Sequence, residues 1–180
     1  MKSDLQSQFG AVSVQVNREN IMSFKTLFLS LCVVVVAMNG IEAKKSYIAF
    51  VKSSNFFEAW QDCNSYDAHL ATVRSAAEQS LVEQAVARTS SPNGVYFIGG
   101  TDIGRDGRWM WIGFNKVIES TDYRNFYPGE PNNLGGNQEC LSVGNFADNR
   151  GKWDDVECLS KLAGYVCEFE VTPPAPFPRV

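Results

Sequence analysis

Between Glu130 and Asp155 the sequence gathers side-chain oxygens in three short groups: Glu130-Pro131-Asn132-Asn133, then Gln138-Glu139, then Asp154-Asp155. Carboxylates and amides at this density suit a hard cation. Calcium takes about six to eight oxygen ligands, whereas zinc draws on imidazole or thiolate, and the segment contains no histidine. By composition alone, a solvated Asn/Asp/Gly loop fits as well. Paired acids such as Glu130 and Asp155 could also serve glycoside hydrolysis. Carboxylates held ionised by a cation are poor proton donors, however, and a Ser-His-Asp or zinc-hydrolase arrangement lacks its histidine here. Binding rather than turnover is expected.

These groups need a frame to bring them together. Tyr47–Val51 is a short apolar run suited to a strand. Asn55-Phe-Phe-Glu58 sets an N-cap three residues ahead of an acid and predicts a helix start. Phe56, Phe57, Trp60 and Cys63 then recur at helical spacing as its apolar face. Ser75-Ala-Ala-Glu78 repeats the signal for a second helix, with Leu81, Val82, Ala85 and Val86 as its buried side. Between the helices His69–Val73 reads as a strand, which makes His69, the chain's one histidine, a core or edge residue rather than a base. Short strands follow at Tyr96–Ile98, Trp109–Ile112 and Tyr165–Phe169. In the last, Tyr165, Cys167 and Phe169 alternate with Val166 and Glu168, as in a strand buried on one side. Asn115–Asp155 shows no period and is expected to form one long loop, a kind usually retained for function.

With 44% apolar and 20% charged residues in a 180-residue chain, neither disorder nor a fibrous repeat is indicated. After Ala43 there are thirteen Lys/Arg against seventeen Asp/Glu, a net charge of −4. No basic patch exists to neutralise phosphates, so nucleic acid is not an expected partner. From Met22 the order Met-Ser-Phe-Lys, apolar Thr26–Met38, small Ala43 reads as a signal peptide over 22–43, and residues 1–21 as an upstream extension. The apolar stretch is shorter than the ~20 residues needed to span a bilayer, so the mature form is expected to be secreted and without a membrane span. Pro173, Pro174, Pro176 and Pro178 mark an extended tail over 171–180. Cys32 leaves with the leader, and Cys63, Cys140, Cys158 and Cys167 imply two disulfides in an oxidising compartment. Four cysteines allow three pairings, and spacing alone does not choose among them.

Taken together these motifs resemble the C-type lectin domain. Glu130-Pro131-Asn132 followed by Cys140, and Trp153-Asp154-Asp155 three residues before Cys158, look like that family's two calcium-site motifs in order. Phe97-Ile98-Gly99-Gly100 stands where the family usually has Trp-Ile-Gly, and Trp109-Met110-Trp111 follows it. Cys63 and Cys167 complete the short, four-cysteine form. The resemblance covers about residues 46–170. It implies an α+β fold of two helices, small antiparallel sheets and a long calcium-binding loop, with Cys63 paired to Cys167 and Cys140 to Cys158. The first bridge closes a loop of about a hundred residues, worth roughly 4 to 5 kcal/mol, and the second a shorter one worth roughly 3 kcal/mol. The second is also expected to staple a loop carrying both triplets, which would lower the ordering cost of binding.

The resemblance further implies that Glu130, Asn132, Gln138, Asp154 and Asp155 hold a calcium ion and contact the sugar. Two vicinal hydroxyls would reach the metal, with carboxylates accepting and amides donating hydrogen bonds to the same hydroxyls. A cis bond before Pro131 would turn Glu130 and Asn132 toward one ion. Glu-Pro-Asn goes in the family with mannose, fucose or glucose; galactose stays open because two positions depart from the pattern. Gln138 stands where Glu is usual and Asp154 where Asn is usual, an exchange that keeps three carboxylates and swaps one donor for one acceptor. Glu139 is the alternative to Gln138 as ligand. An auxiliary calcium site would use Asp102, Asp106, Asn133 and Glu139. Trp153 is expected to pack beneath the loop rather than stack on sugar. The expected partners are glycans with vicinal hydroxyls on microbial or host surfaces, as for short secreted invertebrate lectins. The alternative is a protein-binding module of the same fold, with calcium structural or absent. No coiled-coil or collagen-like segment sets an oligomeric state.

Overall fold

The computed structural model describes residues 44–146 and 149–171. The leader, the upstream extension and the Pro-rich residues of the tail lie outside the described residues. The elements are β1 (Lys44–Phe50), α1 (Phe56–Ser65), β2 (His69–Leu70), α2 (Ala76–Ala87), β3 (Tyr96–Thr101), β4 (Met110–Trp111), β5 (Lys116–Val117), a 3-10 turn at Leu134–Gly136, β6 (Gln138–Phe146), β7 (Asn149–Glu157) and β8 (Gly164–Val171). Sheet formation thus reaches Lys44 on one side and Val171 on the other, slightly beyond the 46–170 span of the motifs.

α1 starts where the cap predicts. Asn55 Oδ1 accepts from the Glu58 N–H at 2.9 Å, and the Glu58 carboxylate returns to the Asn55 N–H at 2.9 Å, so both orphan donors are met. α2 is capped by half of that device. Ser75 Oγ accepts from the Glu78 N–H, but the Glu78 carboxylate turns to the Arg74 N–H and to the Lys45 ammonium. Its buried side also differs from the expected one: Gln79, Val82 and Ala85 face inward, while Leu81 is 44% exposed. On α1, Phe56, Ala59 and Cys63 are buried, whereas Phe57 is 39% exposed.

The sheet runs β1-β8-β3-β4-β5, with β2 also beside β8 and the β6–β7 hairpin joined to β3. One pairing is parallel, Tyr96↔Gly164 and Phe97↔Tyr165 between β3 and β8, and it links the small antiparallel ladders into a single mixed sheet. β8 is therefore a central strand. Val166 and Glu168, expected on an open face, are buried along with Tyr165 and Cys167. Burying Glu168 is possible because its carboxylate meets the Lys45 ammonium at 2.8 Å and the Thr72 N–H at 2.9 Å. His69–Val73 pairs as a strand only at His69 and Leu70, after which Ala71 bonds to Val166 and Gly99. His69 packs edge-on against Phe114.

Two apolar clusters fill the two faces. One holds Val82, Tyr96, Ile98, Trp111, Leu141, Val143, Trp153 and Val166; the other holds Phe56, Cys63, Leu70, Phe97, Cys140, Cys158, Tyr165 and Cys167. The period-two alternation of β3 sends Tyr96 and Ile98 to the first and Phe97 to the second. Both bridges, Cys63–Cys167 and Cys140–Cys158, lie in the second cluster. Gly99 is needed by close approach: a Cβ there would lie 2.7 Å from the Leu70 carbonyl oxygen, a backbone atom that cannot swing aside.

Candidate functional site

The expected loop Asn115–Asp155 is cut at both ends: Lys116–Val117 forms β5, and the irregular segment stops at Asn137. From Gln138 onward the chain is a β-hairpin, with Cys140↔Val156, Leu141↔Asp155, Ser142↔Asp154 and Val143↔Trp153 as partners. Asp154 and Asp155 therefore stand on strand β7. The apolar residues Leu141, Val143 and Trp153 that fix this register are too few and too interspersed with Asn and Gly to show a period. Trp153 is fully buried, ringed edge-on by Trp111 at 5.5 Å, Tyr123 at 5.9 Å and Phe126 at 5.4 Å, and its indole N–H donates to Gln79 Oε1 at 2.8 Å. It packs beneath the site, as expected.

The first triplet is not inside the segment closed by Cys140–Cys158, which contains only the second. Backbone and side-chain bonds hold it in place instead. The Trp153 N–H donates to the Asn125 carbonyl at 2.9 Å, and the Tyr127 N–H to the Trp153 carbonyl at 2.8 Å, so residues 125–127 run beside β7. The Glu130 N–H then donates to the Tyr127 carbonyl at 3.0 Å, and the Glu130–Pro131 bond is cis. Past it, the Asn132 and Asn133 N–H groups donate to Asp155 Oδ1 at 3.0 Å and Oδ2 at 2.6 Å. Asp155, fully buried, is thus the clasp between the two triplets.

Glu130, Asp154 and Asp155 each bring a carboxylate oxygen to within 4.8 Å of the others, and they form the one such acid cluster among the described residues. Glu130 Oε1 accepts from Asn132 Nδ2 at 2.9 Å, while Oε2 is buried without a hydrogen-bond partner. Burial, then the adjoining Asp155 carboxylate and the charge of Asp154, push the Glu130 carboxyl up to about 7. Burial and the neighbouring Asp155 charge raise Asp154 as well. Two carboxyls raised beside the buried Asp155, one of them with an orphaned oxygen, favour positive charge between the three. The donors are all oxygen, with an amide from Asn132 alongside, so a hard divalent ion of the calcium type fits the cluster.

Gln138 sits at the neighbouring turn. Its Oε1 accepts from the Leu134 N–H at 2.7 Å, and its own N–H donates to Asn133 Oδ1 at 3.1 Å. The residues of the expected auxiliary site come together in part. Asp102 is buried, with Oδ2 on the Gly107 N–H at 2.7 Å and Oδ1 without a partner, and burial followed by the charges of Asp106 and Glu139 raises its carboxyl. Its N–H also meets the Glu139 carbonyl at 3.2 Å. Asn133, by contrast, spends its side-chain oxygen on Gln138. Gln79 was not among the expected residues, although helical spacing aligns it with Val82 and Val86 on one side of α2.

Residues 52–169 match the family described as Lectin C-type domain. Perlucin from Haliotis laevigata is 31% identical over 131 residues, which are 71% of this chain and 77% of the perlucin. Ladderlectin from Oncorhynchus mykiss is 35% identical over 113 residues, 63% of this chain and 56% of the ladderlectin. Among solved structures, the cow C-type carbohydrate-recognition domain of CD23, determined in the presence of a GlcNAc2Man3 oligosaccharide, superposes with a TM-score of 0.61 at 28% identity, over 72% of this chain and 91% of that one. A calcium-independent type II antifreeze protein shares the fold, with a TM-score of 0.59 at 21% identity over 73% of this chain and 91% of that one. With the family match, the fold and the two bridges in agreement, this chain belongs to the C-type lectin domain family.

Proposed function

We propose that the domain binds carbohydrate through a calcium ion held by Glu130, Asn132, Gln138, Asp154 and Asp155. The observation that carries this reading is the acid cluster with the unpartnered Glu130 Oε2. When bound, the ion would coordinate two vicinal sugar hydroxyls. The protein's own part is orientation. Asp155 accepts two backbone N–H groups, and Asn132 Nδ2 holds Glu130, so the ligand oxygens are fixed before any sugar arrives. With its Oε1 on the Leu134 N–H, Gln138 presents its amide N–H groups as donors, and Asp154 supplies an acceptor. Toward a bound sugar these two groups would supply the exchanged hydrogen-bond pattern expected from the sequence.

A mannose, fucose or glucose type of sugar is the reading that Glu130-Pro131-Asn132 favours, with galactose as the competitor. The oligosaccharide present with the CD23 domain lends general support to glycan binding by this fold. Asp102, Asp106 and Glu139 would hold an auxiliary ion, for which the orphaned Asp102 Oδ1 speaks. We place the protein outside the cell, acting on microbial or host surface glycans; among the described residues no helix is long and apolar enough to cross a membrane. The test is retention on immobilised mannose and on immobilised galactose in calcium, with elution by chelator. Release from one of them by chelator supports the reading. Passage through both columns in calcium overturns it in favour of a protein-binding module.

A further inference from the structure

We propose that Gln79, on α2, is a positioning residue for the acid cluster: its buried amide fixes both chain segments that carry Glu130, Asp154 and Asp155. The inference rests on the calcium reading for its functional meaning, and on geometry for its substance. Gln79 is 4% exposed. Its Nε2 donates to the Gly151 carbonyl at 2.7 Å and to Glu83 Oε1 at 2.9 Å, and its Oε1 accepts the Trp153 indole N–H at 2.8 Å. None of these bonds goes to Glu130, Asp154 or Asp155, so Gln79 acts through Gly151 and Trp153.

The carbonyl of Gly151 is the joint. It also receives Asn125 Nδ2 at 2.9 Å, and the Asn125 side-chain oxygen receives the Lys152 ammonium at 2.7 Å. Helix α2, strand β7 and the segment leading to the first triplet therefore meet at one oxygen. From Asn125 the ladder continues through Trp153 and Tyr127 to the Glu130 N–H. On β7, Trp153 precedes Asp154 and Asp155 directly. Holding its indole by the N–H fixes the rotation of the strand at the point where the two acids leave it. Gly151 permits the approach: its φ is +77°, and a Cβ there would lie 2.2 Å from Glu83 Oε1. An apolar side chain of equal length at position 79 would pack but would leave the indole N–H without its acceptor, removing the hydrogen bond that sets the Trp153 ring against α2.

The test compares Gln79→Met with Val82→Ala in the full chain. Val82 is a fully buried residue of the same helix, packed in the apolar cluster, and serves as a matched loss of stability without loss of a hydrogen bond. Two readouts are taken well below either melting temperature: calorimetric titration with calcium chloride alone, and amide hydrogen exchange at Asn132 and Asn133 by NMR in metal-free protein. Groups bonded directly to metal ligands are worth about 10- to 100-fold in metal affinity; Gln79 acts one contact further out, so Gln79→Met is expected to raise the calcium Kd by about threefold to tenfold. It is also expected to speed exchange at Asn132 and Asn133 beyond what its lowered global stability predicts. Val82→Ala, which removes no hydrogen bond, should leave the Kd unchanged and exchange only as its stability predicts. If the two variants move both readouts together, or Gln79→Met moves neither, Gln79 merely packs and the proposal falls. Should the unmutated protein take up no calcium, the calcium reading fails separately, and the exchange measurement still decides whether Gln79 holds the cluster's backbone.

Discussion

Replacing Asp154 with Asn should invert the order of stability between metal-free and calcium-loaded protein. The ligand oxygens of Glu130, Asp154 and Asp155 lie within 4.8 Å of one another, so without a cation each ionised pair repels. At an effective dielectric of about 20, two unit charges at that spacing repel by about 3.5 kcal/mol. Partial exposure of Glu130 and Asp154, and uptake of a proton by Glu130, cut this to about 1 kcal/mol of net relief in Asp154→Asn. For a domain of this size, 1 kcal/mol is about 3 to 6 °C in Tm. In chelator the variant should therefore melt about 3 to 6 °C above the original. With calcium at about 100 times its Kd, the unmutated protein gains about 2.7 kcal/mol. Losing one carboxylate ligand at about 2 kcal/mol weakens the Kd about thirtyfold, and at the same calcium concentration the variant gains only about 0.9 kcal/mol. The order then reverses, the original melting higher by about 0.8 kcal/mol, or about 3 °C. Thermal melts in chelator and at a series of calcium concentrations read this directly. A variant less stable than the original under both conditions would refute the electrostatic account and make Asp154 a structural residue.

Further outcomes follow from the same geometry. Gln138→Glu places a fourth carboxylate beside the cluster and should lower the metal-free Tm and change the ratio of mannose to galactose retention; an unchanged ratio and affinity would end the exchanged donor–acceptor reading. Because the Glu130 carboxyl is raised from 4.5 to about 7, the folded metal-free protein holds a proton that the unfolded chain has lost, so its stability should fall as pH rises from about 4.5 to 7. Calcium must displace that proton, so calcium affinity should rise over the same interval and level off above about pH 7, as titration at stepped pH would show. Asp155→Ala removes the acceptor for the Asn132 and Asn133 N–H groups and should cost about 2 to 4 kcal/mol in metal-free stability, read by urea unfolding, besides abolishing calcium uptake. Gly151→Ala forces a positive φ on alanine and crowds Glu83, and should lower the Tm by several degrees, with about 1 to 2 kcal/mol expected from the backbone alone.

Much of the frame was legible because local signals and tertiary structure agree. Asn55 with Glu58 marks the start of α1 through hydrogen bonds made within four residues, and no distant contact is needed to see them. The Pro131 and Asp154-Asp155 motifs are likewise short and read directly. The burial of Glu168 was not legible. An acid on an alternating strand reads as solvent-facing, and only the parallel contact of β8 with β3 and the arrival of Lys45 make its interior position tolerable. The hairpin from Gln138 was hidden for another reason: its strands are specified by pairing with each other and with β3, not by their own weak alternation. Gln79 escaped because a polar residue on an apolar helix face is found only when its partners, Trp153 and Gly151 more than seventy residues away, are known.

For the site itself, the sequence determined the chemistry: which oxygens are available, how many are charged, and that no imidazole competes for the metal. Those are properties of residue types, fixed before folding, and they say only which ion would suit the segment. Tertiary structure decided what those oxygens can do, because calcium-type coordination depends on distances that no local spacing sets. Asp155 reaches across from β7 to clasp Asn132 and Asn133, the Glu130–Pro131 segment is held by Trp153 rather than by the nearby disulfide, and three carboxyls are left close enough to repel. Burial of Asp155 and partial burial of Glu130 and Asp154 limit the water that would relieve that repulsion, which is why a list of acids becomes a cluster that fits a cation only in the folded chain.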